Sequence, residues 1–310
     1  MPCPSPVFRI CMSEIRKLPA SAGAEWLMSG FTLLRKAPLG LGVLGVIWAL
    51  LALLVTALAT MVPVLALPAQ LVMALAGPLI FGGLVWAVRE VDEGRPPQPA
   101  HLLQGLHDGR APHLLVSLLP QLVAGLVLGI LLLLLIGSSG LGQLSEVMTK
   151  LNELSQSGTQ PSPAEMEALA ASLPAGRILL WLLCVVVVFI GVALALFTLS
   201  PQVMFEQRNG LQALRLSLRA CAHNLLPMLV FFLLAFVAVF AVYFLVMIVA
   251  MVAQLVGGAM LALFAAQLLL MGVVMPVFAG AVYSAWKQMF DQPGVPPTLP
   301  VNSPSNIFHA

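Results

Sequence analysis

The chain has 310 residues, of which 60% are hydrophobic and only 8% charged, with a formal net charge of +2. Ordinary soluble domains carry roughly 25% charged residues, so this chain cannot cover a water-facing globule and is suited to a bilayer. The small, dispersed positive charge gives nucleic acid no footing.

In chain order, residues 1–20 are expected to be a flexible N-terminus. Residues 1–11 (MPCPSPVFRIC) read as an unstructured lead, and Met12 is the more ordinary start; no signal peptide with a compact apolar region and cleavage site is expected. Residues 21–37 (SAGAEWLMSGFTLLRKA) read as an amphipathic lead-in helix ending in Arg35 and Lys36 before Pro38. A helix needs about 20 apolar residues to cross a bilayer core. Six stretches qualify: 39–62, 64–88, 114–136, 178–204, 225–250 and 259–286. None carries Asp, Glu, Lys or Arg away from its ends, and only a tight turn at Pro63 separates the first two.

Between spans, residues 99–110 repeat the amphipathic lead-in weakly and 210–223 repeat it strongly. At 100° per residue, Leu211, Leu214, Leu218 and Ala222 share one face of that helix, and Arg215, Arg219 and His223 form the adjacent stripe. A helix lying in the headgroup region has this build. Residues 137–176 form a polar insertion. Leu141, Leu144, Met148, Leu151 and Leu154 give it an apolar stripe, and Ser162-Pro163-Ala164-Glu165 gives it a capping box. It reads as a helical lid on the outer surface. Residues 291–310 read as a disordered, Pro-rich tail.

The stretch GPLIFGGLVWAVRE aligns without a gap on MPVFAGAVYSAWKQ, pairing Pro78 with Pro276, Gly82 with Gly280 and Arg89 with Lys287. Pro201, in FTLSPQVMFEQR, is the middle counterpart. The expected fold is therefore an all-α polytopic membrane bundle, residues 21–290, with six transmembrane helices in three like-oriented, pseudo-repeated hairpins and interfacial amphipathic helices. With both termini cytoplasmic, twelve of the fourteen Lys and Arg lie inside and only Lys150 and Arg177 outside.

Candidate chemistry is sparse. His101, His107 and His113 recur every six residues, which on a helix aims them in three directions, so solvated histidines are expected rather than a metal site. Cys3, Cys11, Cys184 and Cys221 show no metal or redox spacing. Gln121 and Gln267 are the candidate intramembrane polar contacts, between helices or to a substrate. Gly45, Ala49, Ala52, Thr56 and Thr60 form one small-residue face, and Gly125 and Gly129 a GxxxG; packing inside the protein is expected of both, with a homodimer as the alternative. Pro78, Pro201 and Pro276 are candidate helix kinks whose freed carbonyls could line a cavity. Arg35, Lys36, Arg208, Arg215 and Arg219 are candidate lipid-headgroup contacts, although topology alone would also explain them. The Asp92–Glu93 pair beside Arg95 reads as a solvated turn, and no catalytic constellation is legible.

The segments PASAGAEWLMSGFTLLRKAPL, REVDEGRPPQPAHLLQGL and ALRLSLRACAHNLLPMLVFFLL together resemble a family of multi-pass inner-membrane proteins of proteobacteria. More distantly they resemble the membrane domain attached to some glycerophosphodiester phosphodiesterases. The resemblance covers most of residues 19–290 outside the insertion. It implies a six-helix bundle in the bacterial inner membrane and no agreed activity; it does not extend to the phosphodiesterase catalytic domain. The expectation is a non-enzymatic membrane component, without cofactor or metal, that packs with lipid, with itself or with a membrane partner. The alternative is a facilitator or exporter of an apolar or amphipathic molecule or lipid. A cavity between the hairpins, lined by Gln121, Gln267 and kinked backbone, would favour the alternative; a filled interior with an exposed small-residue face would favour assembly.

Overall fold

A computed structural model describes residues 15–157, 162–171 and 173–290. Ten α-helices account for most of them: α1 (Ala22–Lys36), α2 (Pro38–Met61), α3 (Ala66–Asp92), α4 (Ala111–Leu115), α5 (Leu118–Ser157), α6 (Pro163–Ala171), α7 (Ala175–Leu196), α8 (Leu199–Glu206), α9 (Gly210–His223) and α10 (Leu225–Met289). Short 3-10 turns occupy Pro63–Leu65 and Pro99–Leu106, and no strand occurs among the described residues. Among the described residues, five helical stretches are long and apolar enough to cross a membrane: Pro38–Met61, Pro63–Asp92, Ala111–Leu154, Ala175–Glu206 and Leu225–Met289. The chain is thus an all-α protein with the build of a multi-pass membrane protein.

The last stretch is not one straight rod. Phe231 and Phe278 both belong to α10, 47 residues apart, or about 70 Å along a straight helix. Their rings are 6.2 Å apart. The chain reverses at Gly258, whose φ of 76° only glycine adopts without strain. Gly137, with φ 71°, breaks α5 in the same way and turns it into the insertion.

Glycine also decides where α1 goes. Gly23 and Gly30 are seven residues apart and share a face. A methyl on Gly23 would sit 2.7 Å from the Phe231 nitrogen on the first arm of α10, and one on Gly30 would collide with the Val277 carbonyl on the second. Bare backbone lets α1 wedge between both arms. Trp26 is fully buried there, its ring 6.2 Å from those of Phe197 and Phe231, and its Nε1 donates to Gln288 at 2.8 Å. The lead-in is therefore not a surface helix: only its Arg35–Lys36 end and one flank stay exposed.

One end of the bundle is closed. Lys287 and Lys36 reach Asp92 at 2.8 and 3.8 Å, and the Tyr283 hydroxyl donates to it at 3.1 Å. Trp286 Nε1 donates to Glu206 at 2.7 Å. The Asp92–Glu93 pair is therefore split: Glu93 pairs with Arg89 and Arg95 in the turn, while Asp92 ties three helices together. Residues 15–18, expected to be flexible, are held by the Arg16 N–H donating to Met289 and by Asn224 bonding both the Leu18 N–H and the Arg16 carbonyl. The fully buried large side chains concentrate at this basic end, and the opposite halves of the spans expose long apolar side chains. Residues 1–14 and the tail from 291 lie outside the described residues.

Two span boundaries also differ. The helix expected over 114–136 is interrupted at Val116–Ser117, and that over 178–204 at Phe197–Thr198. In the insertion, the Ser162–Glu165 capping box forms, with Ser162 N–H donating to Glu165 at 2.8 Å and Glu165 N–H to the Ser162 hydroxyl at 3.3 Å. The Ser162 N–H and hydroxyl, both donating to the Glu165 carboxylate at 2.8 Å, hold it below the usual carboxylate range. Val147 is buried in the stripe in place of Met148, which is exposed, because the face drifts by one residue along the helix.

Gly30→Ala, tested by thermal unfolding in detergent, should lose roughly 1–3 kcal/mol or more to overpacking against backbone. Gly125→Ala, with no neighbour within 4 Å, should be neutral or slightly stabilising.

Candidate functional site

Two helix interruptions stand at the same level of the bundle. Ser117 and Leu118 flank one, and Phe197, Leu199 and Ser200 the other; all five line the floor of an open cleft of about 950 Å³. Its walls come from α2 (Trp48, Ala52, Thr56), α3 (Gln70, Gly77, Phe81), α5 (Gln121), α7 (Phe189, Ala193) and both arms of α10 (Phe232, Phe278). Among the rings at the floor, Phe81 and Phe278 lie 5.9 Å apart, and Phe197 lies 6.0 Å from Phe232 and 6.3 Å from Phe278. Beneath them Leu114, Leu199, Val203, Met204 and Ala213 are packed solid. The cleft is closed at the basic end and opens toward the splayed half.

The break before α8 is stabilised by α9. The Thr198 N–H, free of the helix, donates to the Ser217 hydroxyl at 3.0 Å; that hydroxyl donates to the Leu194 carbonyl at 3.1 Å. Gln202 Nε2 donates to Thr198 Oγ1 at 2.9 Å. Both backbone groups at the break are thereby satisfied in a buried setting, as burial demands. Ser217 can do this because α9 packs its small face, Gly210, Ala213, Ser217, Ala220 and Cys221, inward.

The three prolines separate here. Pro201 is the third residue of α8, where its missing N–H needs no partner, so the interruption precedes it and it kinks no continuous helix. Helices α3 and α10 continue through Pro78 and Pro276. Proline frees the carbonyl four residues back. For Pro78 that residue is Ala74, on the cleft wall. For Pro276 it is Gly272, covered by α2 where a methyl on Gly45 would lie 2.9 Å from the Gly272 Cα.

The glutamines separate too. Gln121 lines the cleft. Gln267 does not: it is half-buried on α10, about 12 Å along the helix beyond Met275, the second arm's outermost lining residue. The small-residue face of α2 divides, with Gly45 and Ala49 packed at the closed end and Ala52 and Thr56 open to the cleft. Gly125 and Gly129 are exposed, and a methyl on either would meet no other part of the described chain within 4 Å, so the internal packing expected of them does not form among the described residues.

The basic candidates stay near the surface. Arg35, Lys36, Arg215 and Arg219 are exposed, and Arg208 is half-buried beside Glu206. Leu211 and Leu218 are exposed alongside the α9 arginines, so that helix keeps both an apolar and a basic face outward. Sequence reading missed Arg110. It is buried, with its guanidinium 5.0 Å from the Trp86 ring centre and 2.9 Å from Asp108. His101 accepts from the Gln98 N–H at 3.2 Å and His107 donates to the Leu103 carbonyl at 3.0 Å, so these two serve their local backbone. Among the described residues no cluster of three His, Cys, Asp or Glu could hold a metal. Burial pushes the Cys221 thiol up to about 12.

No family model matches this chain, and neither a curated protein nor a solved structure matches it. The cleft's own chemistry carries the functional reading. No lining residue is charged, and apolar side chains dominate it, with Ser117, Gln121, Ser200, Thr56 and Gln70 as the polar exceptions.

Ser217→Ala would orphan the buried Thr198 N–H and Leu194 carbonyl at the break. It should cost roughly 1–3 kcal/mol in thermal or denaturant unfolding, whereas Arg219→Ala on the exposed stripe should cost less than about 0.5 kcal/mol.

Proposed function

We propose that this chain is a non-enzymatic, lipid-interacting membrane protein whose cleft holds, and can pass along, a membrane-derived amphipathic molecule. The observation that carries the reading is the cleft. It draws walls from α2, α3, α5, α7, α8 and α10, is lined almost wholly by uncharged apolar groups, and opens between helices that face hydrocarbon. Its volume is at the upper end of the 300–1,000 Å³ typical of ligand sites. Of the two expectations, the facilitator gains most from this geometry.

In this reading the protein crosses the membrane six times, because the α10 hairpin supplies two crossings. Three like-oriented pairs then follow the Pro78, Pro201 and Pro276 repeats. Eleven of the thirteen described Lys and Arg belong to segments joined at the closed end, which the positive-inside rule puts in the cytoplasm with both termini. The inner-membrane assignment belongs to this reading and is supported only by the resemblance of most of residues 19–290, outside the insertion, to proteobacterial inner-membrane proteins. Arg35, Lys36, Arg208, Arg215 and Arg219 then meet anionic headgroups, with α9 lying in the interface on Leu211 and Leu218.

The unpartnered Gly125–Gly129 face favours a second reading, self-assembly through α5. Gly125→Leu should leave a monomer unchanged but shift a dimer toward monomer on size-exclusion chromatography in mild detergent.

Lipid carriage is tested by native mass spectrometry. Protein released from native membranes should retain one or two lipid-sized masses, and Ala193→Trp, which fills the cleft from α7, should lose them while keeping its thermal stability. Unchanged retention in that variant would end the cleft reading. Orientation is tested with a membrane-impermeant maleimide after the native cysteines are replaced: Lys150→Cys should react in intact spheroplasts, and Arg95→Cys only after permeabilisation.

A further inference from the structure

We infer that the cleft selects an uncharged lipid head, a hydroxyl or carbonyl group seated on Ser117 and Ser200, with its chain running toward the open half. The inference rests on the cleft reading above and names the class of molecule it takes. Ser117 is 7% exposed, and its hydroxyl has no hydrogen-bond partner. A buried unpaired hydroxyl costs free energy that a ligand's own polar atom would recover. Ser117 lines the floor, Ser200 lines it from the opposite break, and Gln121 stands about one turn above Ser117. These groups can donate to and accept from a neutral head.

A phosphate has no place there. No cation lines the cleft: the Arg89 guanidinium is engaged elsewhere, and that of Arg110 is buried off the lining, with its Nε and Nη1 unpartnered. Arg89 pairs with Glu93 at 2.6 Å and lies 4.9 Å from the Phe205 ring centre; Arg110 lies over Trp86 and pairs with Asp108. Moving an unpaired anion into such a lining is expensive. Depth agrees with a head that is polar but uncharged: Ser200 lies six residues before Glu206, about 9 Å along α8, below the charged plane and short of the bilayer centre. Above it, Val55, Met73 and Phe189 offer an apolar path for the chain.

The experiment uses the full chain in lipid nanodiscs with two photo-crosslinking probes of the same diazirine-bearing acyl chain. One is a diacylglycerol, with a free hydroxyl head; the other is phosphatidylglycerol, which is anionic. Peptide mapping should place the diacylglycerol crosslinks on cleft-lining segments of α3 and α7, several-fold above phosphatidylglycerol. Ser117→Ala should lower the diacylglycerol signal roughly three- to tenfold, the loss of one good hydrogen bond. The substitution removes an unsatisfied group, so the unloaded variant should unfold at the same or a higher temperature. Equal labelling of the cleft by both probes, or a Ser117→Ala variant that labels like the parent or loses both probes alike, would overturn the neutral-head inference and leave the cleft reading standing. Absence of both probes from the cleft peptides would overturn both inferences.

Discussion

Backbone-to-backbone contact at the closed end is the constraint on which the rest depends. Gly23 and Gly30 bring α1 against both arms of α10, Gly45 brings α2 against the second arm, and Gly280 lies against Gly30. In hydrocarbon, apolar side chains gain little by leaving lipid for one another, so close van der Waals fit must do the associating. The closest backbone fit is at one end. There the helices also share Asp92, Glu206, Gln288 and Asn224 as polar fasteners. Toward the other end Ala52 and Thr56 open onto the cleft and Gly125 and Gly129 are exposed, while α5 and α7 stay joined by the Trp181 Nε1 donating to the Leu128 carbonyl at 3.1 Å.

The cleft is a product of that asymmetry. Helices pinned at one end and diverging at the other enclose a wedge-shaped space. The paired interruptions at Ser117 and Thr198 mark the level of its floor, which Ser117, Phe197, Leu199 and Ser200 line. Ser217 fills the break in α7–α8 with hydrogen bonds, whereas the Ser117 hydroxyl has none. One break has both of its backbone groups bonded, with the Gln202 Oε1 beside it unpartnered; the other leaves the buried hydroxyl of Ser117, a cleft-lining residue, unpartnered.

Much of the architecture was legible from the sequence, for physical reasons. Lipid exposure forces long charge-free runs, and these marked the spans; the Ser162–Glu165 box marked the start of α6. The interruptions were legible in principle. Pro120 is the third residue of α5, as Pro201 is of α8 and Pro227 of α10, and proline tolerates that place because the first turn's N–H groups have no helical acceptor. The run over 114–136 looked continuous because hydropathy ignores this punctuation. Burial of α1 was hidden for a different reason. Its exposed Arg35 and Lys36 suggest an interfacial helix, and only the partner backbone shows what Gly23 and Gly30 are for. The cleft itself is a property of helix divergence, so Gln121 could be nominated as a polar spanning residue but not separated from Gln267.

The turn at Gly258 bears on how such a chain reaches its membrane. From residue 224 to residue 286 there is no Asp, Glu, Lys or Arg, and the residues at the reversal, Leu255, Val256 and Met260, are more than 80% exposed and apolar. Residues 37–88, which reverse at Pro63, are equally bare of charge. A helix pair with a greasy tip can partition from the translocon sideways as one body. It ferries no hydrated loop and avoids the roughly 2.5–3.5 kcal/mol that each mid-bilayer cation would add. The apolar runs of α5 and α7 differ: the chain between them carries Glu146, Lys150, Glu153 and Arg177, so these two helices cannot enter a bilayer as one charge-free body.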